Sequence, residues 1–129
     1  MRHTLLALLV VFGLASTAQA KEETLIVNAP ADAVYTAALR VIRDMKFEIK
    51  TSDREAGLIQ SENKSAFGQA NFFLDVEITK VSDTESTVLV DARRRRLSIT
   101  GGNPDERLKE FRDALRKTLG EGITVTEER

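Results

Sequence analysis

Phe72-Phe73-Leu74-Asp75-Val76-Glu77-Ile78-Thr79 decides the fold. Phe72, Leu74, Val76 and Ile78 fall on one side of an extended chain; Phe73, Asp75, Glu77 and Thr79 fall on the other. Strict alternation of this kind is the signature of a half-buried strand. Downstream, Ser82-Asp83-Thr84-Glu85-Ser86 reads as a turn, and Val88, Val90 and Ala92 alternate with Leu89, Asp91 and Arg93 in the next strand. Upstream, Leu58 to Glu62 reads as a strand, with a wider loop at Lys64 to Gln69. Before it, Phe47, Ile49 and Thr51 alternate with Glu48, Lys50 and Ser52, and Asp53-Arg54-Glu55-Ala56-Gly57 supplies a glycine-ended turn.

The flanks are helical. Val34, Ala38, Val41, Ile42 and Met45 recur at helical spacing from a start near Pro30, with Asp32 suited to the dipole. Leu108, Phe111, Leu115 and Leu119 form a second stripe. Asn103 reads as its N-cap, Pro104 as N1, and Gly120 as its closing glycine. A short β-rich run, Thr24 to Asn28, opens the set. The expected class is α+β, of order β-α-β-β-β-β-α. It is a two-layer domain with an antiparallel β-meander and two helices on one face. The other face would be polar, carrying Lys50, Asp75, Glu77, Asp91 and Arg93.

Residues 1–20 read as an export leader. Arg2 and His3 precede an apolar run from Leu5 to Leu14, and Ala18-Gln19-Ala20 is an A-x-A cleavage signal. The run is about half of the ~20 apolar residues a membrane span needs. The expectation is Sec-type export to the periplasm or outside the cell, cleavage after Ala20, and no span in the remaining chain. With no cysteine for lipid attachment, a lipoprotein is not expected. Residues 21–120 would form one domain, and 121–129 a flexible tail in which Ile123-Thr124-Val125 could add a weak edge strand.

The chain has 129 residues, a formal charge of -1, no cysteine, no tryptophan and one histidine, His3, inside the leader. A Ser-His triad, a thiolate nucleophile, a disulfide framework and the usual zinc sites are therefore excluded from residues 21–129. Asp75, Glu77 and Asp91 alternate on strands with few aromatics nearby, which reads as a salt-bridged surface rather than a glycosidase acid pair. There is no calcium loop and no phosphate loop, since Gly101-Gly102 lacks the lysine motif. Tyr35 reads as a packing or rim residue. No catalytic residue, metal site or cofactor is expected.

Two features suggest binding. Arg93-Arg94-Arg95-Arg96 places four guanidiniums in a row, which repel unless anions answer them. If the strand continues, Arg93 and Arg95 share a face with the acids, and Arg94 and Arg96 point the other way. The run is either a strand end paired to those acids or an anion site. Phe67 and Phe73 flank a glycine loop and form a second candidate, an aromatic patch or a loop folded onto its own sheet. Nucleic acid is not expected, given the slight acidity and the lack of a basic, aromatic sheet face.

The stretch Ala29-Pro30-Ala31-Asp32-Ala33-Val34-Tyr35, with Ala38-Leu39, Phe47-Glu48-Ile49, Asp53-Arg54 and Gly57-Leu58-Ile59, resembles small bacterial envelope domains of TBP-like β-α-β4-α order. It looks most like the domains of NlpB-type lipoproteins of the outer-membrane assembly machinery, and is similar to several exported families of this size. The chain departs from them in lacking the lipid-attachment cysteine and in having one domain. The resemblance implies the fold and no catalytic residues. The expected function is a non-catalytic binding or scaffold module of the cell envelope, contacting a protein or an anionic envelope component. The alternative is a carrier of a small or lipidic ligand held between sheet and helices. Neither partner identity nor oligomeric state is legible.

Overall fold

A computed structural model describes residues 20–64, 70–94 and 103–127. The stretch read as a leader lies outside them apart from Ala20, as do Phe67, Arg95, Arg96 and Gly101-Gly102. In chain order the elements are β1 (Ala20–Val27), α1 (Ala31–Asp44), β2 (Glu48–Asp53), β3 (Leu58–Lys64), β4 (Ala70–Ser82), β5 (Glu85–Arg94), α2 (Pro104–Leu119) and β6 (Val125–Glu127). The class is α+β: one antiparallel sheet of order β2-β3-β4-β5-β1-β6 with both helices on one side.

The alternation in β4 and β5 produces the layer structure. Phe72, Leu74, Val76, Ile78, Val88, Val90 and Ala92 are all buried under the helices. Val34, Val41 and Ile42 of α1 and Phe111 and Leu115 of α2 meet them and are fully buried. Each such side chain contributes about 1.5–3 kcal/mol of burial. These side chains form one buried cluster between the sheet and the helices.

The helix ends follow local chemistry. Pro30 stands at the N-cap of α1 rather than inside its first turn, in an extended conformation. At the other end Lys46 has φ +69, and the Phe47 and Lys46 N–H groups donate to the carbonyls of Ile42 and Arg43. This is a Schellman closure with lysine where glycine is usual. Asn103 caps α2, its side chain accepting from the Glu106 N–H at 2.9 Å, with Pro104 at N1.

The strands run longer than the sequence reading at several ends, β3 to Lys64, β4 from Ala70 to Ser82 and β5 from Glu85, and three further departures affect the sheet edges. β1 reaches back to Ala20, because Glu23 lies on the helix side and receives Arg112 of α2 at 2.9 Å. β6 covers Val125–Glu127 rather than Ile123 to Val125, and pairs with Leu25–Val27 of β1. Val125 enters the core and Arg112 also reaches Glu127, so this part of the expected tail is a strand. In β2 the register shifts between Ile49 and Thr51, so the alternation breaks: Phe47 is buried, Ile49 half-buried and Thr51 exposed.

Candidate functional site

The sheet face turned away from the helices has no second layer among the described residues, and its side chains are set in rows by the strand register. One row runs Glu22 (β1), Asp91 (β5), Asp75 (β4), Gln60 (β3). The next runs Thr24, Leu89, Glu77, Leu58. On the other side of the acidic row lie Arg93, Phe73 and Glu62. Neighbouring strands are ~4.8 Å apart, so each row is a line of closely spaced side chains.

Asp75 and Asp91 stand directly opposite each other, an unfavourable pairing of like charges. Arg93 answers both. Its Nη2 is 2.8 Å from Asp75 Oδ2, its Nε is 3.8 Å from Asp91 Oδ2, and its guanidinium lies 5.0 Å from the centre of the Phe73 ring. Burial pushes the Asp91 carboxyl up from its ordinary value; Arg93 pulls it down and Asp75 pushes it up again, with a net rise. Lys50, at the β2 irregularity, bridges Glu48 at 3.3 Å and Glu62 at 3.8 Å.

A shallow depression of about 180 Å³ opens on this face. Glu22, Leu58, Asp75, Glu77, Leu89 and Asp91 line it. Leu58 is 40% exposed, large for a leucine among charges, and Leu89 is half-buried. Among the described residues no ion pair engages Glu22 or Glu77. Nor do any three His, Cys, Asp or Glu of the described residues converge to hold a metal ion.

The structure brings together two of the six sequence candidates: Arg93 and Phe73 stack on the open face. Arg94 closes β5 on the helix side, half-buried, away from Arg93. Arg95, Arg96 and Phe67 fall outside the described residues. Leu58, Leu89 and Glu22 were not singled out by sequence reasoning. The available signal was parity: Leu89 alternates with Val88 and Val90, which places it on the polar face.

A second depression, about 170 Å³, sits at the start of α1. Tyr35 lies buried beneath it, its ring 4.7 Å from the Arg54 guanidinium and its hydroxyl donating to the Leu58 carbonyl at 3.3 Å. Arg54 is itself held by Asp32 and Thr36. Tyr35 thus packs, and the arginine beside it is engaged within the fold.

No helix among the described residues is long and apolar enough to cross a membrane. Comparison of the chain with protein-family models and with curated protein sequences finds no match.

Proposed function

We propose that this chain is a non-catalytic binding module of the bacterial cell envelope, and that the open face of its sheet is the surface that holds a protein partner. The observation that carries this reading is the asymmetry of the sheet. One face is sealed by two helices, while the other presents Leu58, Leu89 and Phe73 among charged rows with no layer over them among the described residues. Apolar side chains set within a polar, uncovered sheet face are what a partner buries on docking.

The envelope location rests on the leader-like residues 1–20 and on the resemblance of element order to envelope domains. The absence of cysteine, and of histidine beyond the leader, favours binding over turnover. Arg93 is committed to Asp75 and Asp91, which favours a protein partner over an anionic polymer at this part of the face.

The test is affinity capture from envelope extract with wild type and with Leu58→Gln plus Leu89→Gln, which removes the apolar contacts without changing the charge of the face. The two positions are solvent-facing, so the variant should keep the wild-type circular dichroism spectrum. A partner retained by wild type and lost by the variant supports the reading. Equal capture by both rules out this face.

A further inference from the structure

We infer that the partner presented to the open face is a cationic polypeptide segment, which sets lysine or arginine against Glu22, Asp91, Asp75 and Glu77 and an aliphatic side chain across Leu58 and Leu89. This rests on the reading of that face as the binding surface and adds the chemistry of its occupant.

The charge pattern carries the assignment. Glu77 stands between Leu89 and Leu58 in one cross-strand row, and Glu22, Asp91 and Asp75 occupy the row beside it. Four carboxylates on three strands thus surround an apolar floor. Among the described residues Arg93 alone answers any of them, reaching Asp75 and Asp91. Glu22 and Glu77, both solvent-exposed, remain uncompensated among the described residues. An anionic guest would meet this net negative field; a cationic one relieves the repulsion between Asp75 and Asp91 as it arrives.

The spread of the carboxylates argues for a polymer. Leu58 and Leu89 are separated by two strand spacings, about 10 Å. The acids are strung along neighbouring strands instead of converging, and no metal-holding group forms among the described residues. A point cation cannot serve such an array. A chain bearing several ammonium or guanidinium groups, with aliphatic side chains between them, matches both the row of acids and the leucines beside it. Charges would steer the encounter and the leucine contacts would hold it.

The experiment is a ¹⁵N-resolved NMR titration of the protein with a blocked heptapeptide alternating lysine with leucine, alongside the same peptide with glutamate for lysine. The lysine peptide should shift amides around Leu58, Glu77, Leu89 and Asp91, and leave those of α1 and α2 unmoved. Its binding should weaken about fivefold to tenfold in Glu22→Gln plus Glu77→Gln, a surface variant whose spectrum should otherwise overlay that of wild type. It should also weaken as salt rises. Binding of the glutamate peptide to this face in preference would overturn the cationic assignment while leaving the face as a binding surface. Equal affinity for the Gln variant and wild type, or shifts mapped to the helices, would likewise overturn it. Silence of the face toward both peptides overturns the inference. Only if envelope capture is also indifferent to the leucine substitutions does the binding-face reading fall with it.

Discussion

Asp75 and Asp91 face each other across β4 and β5, and one side chain, Arg93, reaches both carboxylates from the next row. Of the two readings the sequence leaves open for Arg93, an anion site or a partner of the sheet acids, the fold shows the second: it is the counter-charge of a carboxylate pair. Removing it should therefore cost more than a typical surface arginine. Arg93→Ala should lower stability by about 1 kcal/mol in urea denaturation. In an Asp91→Asn background the same substitution should cost clearly less, because only one carboxylate is left to strand. Equal costs in the two backgrounds would mean that Arg93 and Asp91 are not coupled.

Asp91 also predicts a pH dependence. Its carboxyl titrates above the ordinary aspartate value of 3.8, from burial first and then from Asp75, against the pull of Arg93. The folded chain therefore holds this proton more tightly than the unfolded chain does. As pH rises through the folded value, stability is lost; below the unfolded value the loss is gone. Asp91→Asn should thus be more stable than wild type at pH 7, by about 0.2–1 kcal/mol. The difference should shrink as pH falls through the folded value toward 3.8 and be gone below it. Thermal melts of both proteins from pH 3 to 7 check the sign.

Gly57 closes the turn between β2 and β3 with φ +75, and a Cβ there would lie 2.2 Å from the Ile78 carbonyl oxygen. The Ile78 N–H donates to the Gly57 carbonyl at 2.8 Å, so the two backbones are locked together. Gly57→Ala should cost about 2 kcal/mol or more. Gly122, with φ +86 and nothing within 4 Å of its Cβ position, is the control. Gly122→Ala should cost only about 1 kcal/mol. Chemical denaturation of both variants tests the ranking.

Lys46 holds a left-handed conformation at the end of α1, where a side chain is a burden. Lys46→Gly should stabilise the chain by up to about 1 kcal/mol, visible as a higher denaturation midpoint with unchanged slope.

The central strands were legible because each has one covered face: the alternation of β4 and β5 maps directly onto burial. The stripe and caps of α2 were legible for the same reason, since Asn103, Pro104 and Gly120 each supply a local interaction that does not depend on the rest of the chain. The edges were not. Lys50 sits at a register shift that breaks the parity of β2, and no local signal marks it. Lys21-Glu22-Glu23 looks too polar for a strand until Arg112, 89 residues away from Glu23, is placed over it. At the open face, parity put Asp75, Asp91 and Arg93 on one side. Register alone could set Asp75 opposite Asp91 and Leu89 and Leu58 on either side of Glu77, and register depends on how the turns close.

The side of the sheet that meets a partner can be read directly in the cell. A photo-cross-linking amino acid placed at Leu89, in the full-length chain expressed in its own cells, reads the open face; one placed at Lys109, exposed on α2, reads the helix side. If the open face is the binding surface, position 89 yields a discrete cross-linked species, reduced by Glu22→Gln plus Glu77→Gln, and position 109 yields none. Adducts from position 109 alone would contradict that role for the open face.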